Sequence, residues 1–270
     1  MKFTGERILP CITNESMFEH LHRYSLAKEY CVNKIVLDIA CGEGYGSNLI
    51  SEIAEYVFAV EIDKNVIKSA KEKYLKKNLE FICSGIDSIP LKDQSVDVVL
   101  CFETIEHIPD YLNALKELKR VLKKDGLLII STPNKSNYTD KTGYHNPFHV
   151  HEFIRSEFIE LLSGFYKYRE FLSQSFFYGS VVWNNQTKSN FRFFNGNYNE
   201  IKQTQPIDIE LYCIAICSNY PFQPTANSVF IANELIDEIY KVYHSKSYKI
   251  VCAILYPLIV MKRIFKGNHK

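Results

Sequence analysis

The sequence predicts an α/β fold in which a mostly parallel sheet of seven strands is covered by helices on both faces, the doubly wound arrangement. From about residue 34 to 173, short apolar runs alternate with segments whose apolar residues recur at helical spacing. The strand runs are apolar almost throughout, which is typical of parallel strands buried on both faces. A turn containing Gly42 and Gly44 joins the first run to a helix, and ligands of such sheets bind near the carboxyl ends of the strands.

Length and charge narrow the class of protein. The 270 residues allow one large hydrophobic core, or one core with an appendage. The 18 Tyr and 18 Phe exclude an intrinsically disordered chain. With 32 Lys and Arg against 31 Asp and Glu, the formal net charge is +1, so the chain carries no overall basic field. We therefore expect no nucleic-acid partner.

Five strands and three helices form the first part of the predicted sheet. Two helices carry apolar residues on one face, at positions 66, 67, 70 and 74 and at positions 112, 115, 118 and 121. Lys124–Gly126 is predicted to end the last of these helices and to turn into the fifth strand. In chain order, the predicted elements are strand Lys34–Ile39, helix Tyr45–Glu55, strand Tyr56–Ile62, helix Lys64–Tyr74, strand Leu79–Cys83, strand Val96–Phe102, a helix from Asp110, and strand Leu127–Ser131.

The second part of the chain is less regular. It is predicted to hold a helix at Ser156–Leu162 and strands at Tyr166–Leu172 and Ile209–Ser218. Residues 174–205 are rich in Asn, Ser, Phe and Gly, and an insertion of this size is commonly a lid or substrate loop, although its aromatic residues could equally form a small satellite core. From Ser228 the tail is predicted to form two helices.

The turn after the first strand has the composition of a nucleotide-binding loop. Its two glycines let the backbone approach a ligand, and the helix that follows offers free N–H groups. Glu61 ends the second strand 19 positions after Gly42, where an acid can accept the hydroxyls of a ribose. The dinucleotide fingerprint requires a third glycine, but Ser47 stands there, which disfavours a nicotinamide cofactor.

Three ordered motifs carry a resemblance to a known family. The D-x-x-x-G-x-G pattern of Asp38, Gly42 and Gly44 resembles motif I of the class I S-adenosylmethionine-dependent methyltransferases. Residues 89–99 (IPLKDQSVDVV) resemble that superfamily's LPF-x-D-x-SFD-VV signature, and residues 122–127 (LKKDGL) resemble its LKPGG motif. The resemblance implies a Rossmann-like fold and S-adenosyl-L-methionine as the cofactor.

Further motifs resemble a bacterial subgroup of that superfamily whose members are often associated with surface-polysaccharide and glycan biosynthesis. They are residues 5–7 (GER), 19–24 (EHLHRY), 131–135 (STPNK) and 146–150 (NPFHV).

The resemblance also implies the cofactor-binding residues. Asp38 would orient the loop and reach the methionine amino group, and Glu61 would hold the ribose. Arg23 or Tyr24 would contact the methionine carboxylate, unless their helix merely packs on the edge of the sheet. Asp87 either replaces the family's polar adenine contact or caps a turn. The full predicted set is Arg23, Tyr24, Asp38, Ala40, Gly42, Gly44, Glu61, Ile62, Gly85, Ile86 and Phe102.

The segment after the fourth strand faces the reacting methyl group in that superfamily. A sulfonium methyl is already electrophilic, so catalysis consists mainly of positioning and of removing a proton from a hydroxyl acceptor. His149 and His107 are the candidate bases, with Glu106 beside them, although the Glu106–His107 pair could instead support the loop. A metal site made of histidines from 145 to 151 with Glu152 is the alternative, but divalent ions favour carboxylate-rich sites, so no metal ligand is predicted.

We therefore expect three parts: an N-terminal cofactor cover at 1–33, a class I methyltransferase domain at 34–220, and a helical tail at 221–270. The expected function is O-methylation of a sugar or glycan intermediate in surface-polysaccharide biosynthesis. One alternative is methylation of a quinone-like or aromatic small molecule. Another is a non-catalytic accessory protein that binds S-adenosylmethionine.

The cysteines and the tail bear on location. The eight cysteines contain no C-x-x-C pair and lie mostly in apolar runs, and residues 1–10 lack the apolar core of a secretory signal. We expect a reduced, cytoplasmic protein. The basic and apolar residues of 246–270 predict either peripheral contact with the inner face of a membrane or a helix that packs on the sheet or on a dimer partner; the oligomeric state is left open.

Overall fold

A computed structural model describes residues 14–177, 193–196, 201–204, 210–245 and 247–248. The strands are β1 (Ile35–Ile39), β2 (Tyr56–Glu61), β3 (Leu79–Cys83), β4 (Val96–Phe102), β5 (Leu122–Pro133), β6 (Tyr168–Gln174), β7 (Phe193–Gly196), β8 (Ile201–Thr204) and β9 (Tyr212–Ser218). The α-helices are α1 (Glu15–Cys31), α2 (Tyr45–Ile50), α3 (Lys64–Lys73), α4 (Tyr111–Val121), α5 (Arg155–Ser163) and α6 (Asn233–His244). Short helical turns occupy Ile105–His107 and Ser136–Asp140.

The main sheet has seven strands in the order β3-β2-β1-β4-β5-β9-β6. Strands β1 to β5 pair in parallel, and β9 runs antiparallel to both β5 and β6. This confirms the predicted seven-stranded, mostly parallel sheet. The strand order reverses between β1 and β4, so the connections that leave the carboxyl ends of these two strands diverge and open a crevice.

Helices cover both faces of the sheet, as the predicted double winding requires. On one face, α1, α2 and α3 bury Ala27, Ile50 and Ala70 against the strands. On the other face, α4 and α5 bury Leu118 and Phe158. The amphipathic spacing of α3 and α4 in the sequence therefore reports a real packing face.

Several predicted boundaries differ from the structure. Strand β6 begins and ends two residues later than predicted, and two other boundaries differ by five residues. The first helix of the sheet ends at Ile50 rather than Glu55, because the side-chain amide of Asn78 caps the carbonyls of Ser51 and Ala54 and the chain turns back toward β2. Residues 124–126 belong to β5 instead of forming a separate turn. A Cβ on Gly126 would lie 2.8 Å from the carbonyl oxygen of Asp97 on β4, so glycine permits the close approach of the two strands.

Several predictions concern residues only partly described. Of the insertion predicted at 174–205, the structure describes residues 174–177 and the β7–β8 hairpin, whose strands pair antiparallel. The first predicted tail helix is α6; the second, and the predicted membrane segment 246–270 apart from residues 247–248, lie outside the described residues, as does the motif at 5–7. Among the helices described, none combines the length and apolar character needed to cross a bilayer. The six described cysteines are free thiols.

Candidate active site

The glycine loop (residues 38–47) begins at the end of β1, and three of its residues have a left-handed backbone conformation. Ala40, Gly42 and Gly44 have φ values of 54°, 54° and 90°. A Cβ on Gly44 would lie 2.6 Å from the ring of Phe81, so this glycine is required by packing. A Cβ on Gly42 would meet no described atom within 4 Å, so this part of the backbone faces open space. The loop thus presents Gly42 as the surface against which a ligand can lie.

Asp38 connects the glycine loop to helix α1 through hydrogen bonds on the buried side of the loop. Its buried carboxylate accepts hydrogen bonds from the hydroxyl of Ser47 at 2.6 Å and from that of Tyr24 at 3.1 Å. Burial raises the pKa of Asp38 to about 6, although these two hydrogen bonds act in the opposite direction. The loop-orienting role of Asp38 stays a prediction, but these bonds bring in Ser47, a residue that the sequence analysis considered only as a missing glycine.

Glu61 holds the loop from the neighbouring strand. Its carboxylate accepts the backbone N–H of Gly42 at 3.1 Å and that of Asp63 at 3.1 Å. Glu61 therefore lies beside Gly42, and its contact with a ribose stays a prediction.

The helix that carries Arg23 and Tyr24 packs on a face of the sheet rather than on its edge, so it is part of the core. The guanidinium of Arg23, whose side chain is 1% exposed, donates to Gln174 at 2.6 Å, lies 3.8 Å from a carboxylate oxygen of Glu103 and stacks over the ring of Tyr212. Its Nε and Nη2 atoms have no hydrogen-bond partner among the described residues. Two buried donors are thus available to a carboxylate.

The other residues predicted to bind the cofactor lie at the ends of β2 and β4 and after β3. Ile62 is 72% exposed at the end of β2, and a Cβ on Gly85 would lie 3.8 Å from its Cδ1. Ile86 and Phe102 are buried, and the ring of Phe102 packs edge-on against Tyr24. An exposed apolar side chain next to a bare backbone suits the face of a planar ring.

Three predicted catalytic residues come together at the carboxyl ends of β4 and β5, and we call Glu106, His107 and His149 the acceptor-side cluster. One ligand-type atom from each lies within 4.8 Å of the others. The rings of His107 and His149 meet edge to face at 4.9 Å, and His107 Nε2 lies 3.9 Å from Glu106 Oε1. Burial is the main cause that raises the pKa of the Glu106 carboxyl well above its usual range, and the charge of Glu103 adds to it.

His149 lies near the end of β4, although more than forty residues separate it from Glu106 in the sequence. Backbone hydrogen bonds hold it there. The amides of Val150 and His151 both donate to the carbonyl of Glu106, at 2.8 and 3.0 Å. Phe153 forms an isolated parallel β-bridge with Asn134, the residue that follows β5. The loop at 149–153 is therefore fixed to both central strands.

Of the histidines weighed for a metal, only His149 belongs to this cluster. His145 is exposed, and His151 is exposed and packs against Tyr111 and Phe153. Asp87 is also exposed. Glu103, to which the sequence analysis gave no role, has a φ of 47° and accepts the hydroxyl of Ser131 at 2.5 Å. The feature of the sequence that could have indicated a role for Glu103 is its position three residues before Glu106.

The arrangement fits an S-adenosylmethionine-type ligand on three grounds. The backbone at Gly42 faces open space, an acid lies beside it at Glu61, and Arg23 keeps two buried donors without partners among the residues described. The open backbone at Gly42 suits the body of such a cofactor, the acid at Glu61 suits its ribose, and the two donors of Arg23 suit its carboxylate.

Comparison with known proteins agrees with this fit. Residues 37–130 match the methyltransferase domain family. A curated relative from Mycobacterium tuberculosis, named "Probable S-adenosylmethionine-dependent methyltransferase", is 35% identical over 165 residues, which is 60% of this chain and 60% of the relative. The ubiquinone biosynthesis O-methyltransferase of Coxiella burnetii is 30% identical over 38% of this chain and 45% of its own length.

A solved structure of an S-adenosylmethionine-dependent methyltransferase from Thermotoga maritima aligns with 76% of this chain and 92% of its own length, with a TM-score of 0.53 and 16% identity. That likeness confirms the class I methyltransferase fold. The names of the Mycobacterium tuberculosis relative and of this solved structure both refer to S-adenosylmethionine, the ligand that the three features of the site suit. The chain spans about 60% of the length of the Mycobacterium tuberculosis relatives that it matches.

Proposed function

We propose that the protein transfers a methyl group from S-adenosylmethionine to a hydroxyl of a small-molecule or glycan acceptor. The observation that carries the proposal is the position of two sites at one edge of the sheet. The glycine loop follows β1, and the acceptor-side cluster lies at the ends of β4 and β5, the next strands across the sheet. A cofactor on the loop would thus present its methyl group toward a set of basic side chains.

The chain's own residues account for cofactor binding. Gly42 lies against the cofactor, Glu61 accepts its ribose hydroxyls, and Arg23 donates to its carboxylate. Ala40 and Gly44 shape the loop. Ile62, Gly85, Ile86 and Phe102 border the adenine, while Tyr24 acts through Asp38 rather than on the carboxylate.

Methyl transfer requires two contributions from the protein: it positions the acceptor oxygen next to the methyl carbon, and it assists the removal of the hydroxyl proton. The acceptor oxygen forms a bond to the methyl carbon, the carbon–sulfur bond breaks, and its electron pair stays on sulfur as S-adenosylhomocysteine forms. The hydroxyl proton has to leave the acceptor. His107 and His149, with Glu106 between β4 and β5, are the basic groups next to the reacting oxygen in this proposal.

The acceptor we propose is a sugar or glycan intermediate of surface-polysaccharide biosynthesis, on the strength of the sequence motifs at 19–24, 131–135 and 146–150. A quinone-like or aromatic acceptor is the second candidate. The name of the Coxiella burnetii relative favours it, and so do the exposed apolar residues Tyr144, Phe148 and Val150 on the loop that carries His149.

For partners and place we propose a cytoplasmic enzyme that does not bind nucleic acid, because the net charge is +1, and whose basic tail at 246–270 contacts the inner face of the membrane.

Incubation with methyl-labelled S-adenosylmethionine and a host lysate tests the activity. After the reaction, the lysate is divided into glycan-lipid, small-molecule, protein and nucleic-acid pools. Label in the glycan-lipid pool supports the first acceptor, and label only in solvent-extractable aromatic compounds supports the second. Binding of S-adenosylhomocysteine with no labelled product in any pool would contradict catalysis and favour the non-catalytic accessory role.

A further inference from the structure

The acceptor-side cluster has the donor types of a transition-metal site. Two imidazoles and one carboxylate offer atoms that lie within 4.8 Å of one another. Ligand atoms at about 2.0–2.2 Å from a zinc-like ion lie roughly 3–4 Å apart, so small side-chain rotations would close the cluster around an ion. Bound Mg²⁺ or Ca²⁺ prefers oxygen ligands, whereas imidazole suits ions such as Zn²⁺, Co²⁺ and Fe²⁺.

Both histidines are oriented as metal ligands usually are. His149 Nδ1 bonds to the carboxylate of Glu152 at 2.6 Å, and His107 Nδ1 bonds to the carbonyl oxygen of Phe148 at 2.9 Å. Since both partners accept, each Nδ1 carries the proton and each Nε2 keeps its lone pair. Metal-bound histidines typically donate their second ring nitrogen to a carboxylate or a carbonyl in this way. The side-chain amide of Asn146 lies 2.9 Å from His149 Nε2, and an ion would take the place of this donor.

Glu106 supplies the third and most telling observation. Its side chain is 1% exposed, and its Oε1 has no hydrogen-bond partner in the part of the chain that the structure describes. The other oxygen, Oε2, accepts the hydroxyl of Thr132 at 3.1 Å, which fixes the direction of Oε1 toward His107. A buried carboxylate oxygen without a donor is costly, and a cation is the partner that would offset this cost.

From this geometry we propose that Glu106, His107 and His149 bind one divalent transition-metal ion with coordination positions left open for the acceptor. This assignment revises the sequence-based expectation of no metal ligand. Its role rests on the methyl-transfer function proposed above. In this arrangement His107 and His149 hold the ion and do not act as the proton acceptors. The ion binds the acceptor hydroxyl and lowers its pKa so that the proton passes to solvent, and the resulting oxyanion attacks the methyl carbon. Open neighbouring positions suit an acceptor with two adjacent oxygens, such as a sugar diol or a catechol.

Metal binding is measured on the full-length protein after treatment with a chelator and removal of the chelator. Titration with Co²⁺ is followed by its visible absorption, and titration with Zn²⁺ by calorimetry, with Mg²⁺ as the comparison ion. We expect one Co²⁺ per chain, and we expect His149→Ala and Glu106→Gln each to weaken its binding by at least about 10-fold. His151→Ala is the control, since this histidine lies two residues away with an exposed side chain. Thermal melts establish that each variant is folded.

The outcomes separate this inference from the proposed function. Absence of Co²⁺ binding in wild type, or binding that His149→Ala and Glu106→Gln leave unchanged, overturns the metal site whatever the activity. Methyl transfer that survives complete metal removal overturns the catalytic role of the ion and leaves the proposed function standing. Stoichiometric Co²⁺ binding at this cluster, in a protein that transfers no methyl group, supports the site and overturns the proposed function instead.

Discussion

The glycine loop and the acceptor-side cluster lie at the same edge of the sheet, but they differ in how their buried polar groups are satisfied. Beneath the loop, Asp38 accepts two hydroxyls, and Glu61 accepts two backbone amides. In the cluster, Glu106 Oε1 has no hydrogen-bond donor among the residues described. The carboxylates beneath the loop thus have partners in the described part of the chain, whereas Glu106 Oε1 lacks a donor there, and the proposed ion would be its partner.

This contrast separates two kinds of mutation. Changes beneath the loop should reduce stability and cofactor binding together, because the same bonds support both. Changes in the cluster should reduce turnover at little cost to stability, since a strained or unsatisfied site often trades stability for function.

Asp38→Ala should have the largest effect. It leaves the hydroxyls of Ser47 and Tyr24 buried without their acceptor, which should lower the free energy of unfolding by roughly 3 kcal/mol. S-adenosylhomocysteine binding should fall with it. Urea denaturation and calorimetric titration measure the two effects. Asp38→Asn is the matched control, because its amide oxygen can still accept one hydroxyl, so we expect its loss to be smaller. A loss of less than about 1 kcal/mol in Asp38→Ala would show that the carboxylate does not hold the loop.

Glu106→Gln should produce the opposite pattern. The amide keeps the shape of the side chain and an oxygen for Thr132, so the free energy of unfolding should stay the same or rise. Turnover should fall by about 100-fold, equivalent to roughly 2.7 kcal/mol of transition-state stabilisation. The proposed difference between the glycine loop and the acceptor-side cluster is wrong if this variant is destabilised as strongly as Asp38→Ala, or if its turnover equals that of wild type.

Gly42→Ala separates backbone strain from ligand contact. The new methyl group meets no described atom of the protein, so only the left-handed backbone opposes it, at about 1–2 kcal/mol of stability. A bound cofactor would meet that methyl group, and we expect binding of S-adenosylhomocysteine to weaken by at least about 10-fold, equivalent to 1.4 kcal/mol. Gly143→Ala is the control: its φ is 72° and its surroundings are equally open, but it lies away from the loop. Similar binding losses in both would argue against a cofactor at Gly42.

Glu19→Gln should change how stability depends on pH. Glu19 lies buried near Arg23, Tyr212 and Glu103, and burial raises its pKa to about 7. A raised pKa favours the protonated form in the folded state, so this stability is present at low pH and is lost as the pH rises through about 7. The variant should reduce the difference in unfolding free energy between about pH 5 and pH 8 by on the order of 1 kcal/mol. Chemical denaturation across this range measures it, with the exposed Glu29→Gln on α1 as control; an unchanged slope would contradict the burial of a protonated carboxyl.

Ala40→Gly should have the smallest effect. Ala40 is an exposed non-glycine residue of the loop with a φ of 54°, a backbone conformation that glycine adopts at no steric cost. Glycine relieves the steric cost but has more entropy to lose on folding, so the net gain should be up to about 1 kcal/mol. A fall in melting temperature would show that this turn is not strained.

The sequence predicted the glycine-loop side better than the acceptor side for a physical reason. The strands are continuous apolar runs, and the spacing of Asp38, Gly42 and Glu61 is local to one strand–turn–helix–strand unit. Local periodicity and turn chemistry specify such units directly. The doubly wound fold followed from these patterns, and the class I assignment followed from the resemblance of the loop and strand motifs to a known superfamily.

The acceptor side depends on contacts between distant segments. The approach of His149 to Glu106 arises from an irregular loop whose backbone amides bond to the Glu106 carbonyl. Likewise, Arg23 meets Gln174 from β6 across 151 positions. No periodic pattern records such contacts, so the sequence named Glu106, His107 and His149 as candidates but not their geometry, and it favoured no metal ligand.

Titration of S-adenosylhomocysteine into wild type and Glu106→Gln, side by side, tests the central claim most directly. The claim is that a complete cofactor loop stands beside a separate, incomplete acceptor site. We predict one binding site per chain in wild type and the same affinity, within about twofold, in Glu106→Gln. Absence of binding in wild type, or a loss of affinity in the variant by about 10-fold or more, would contradict the account.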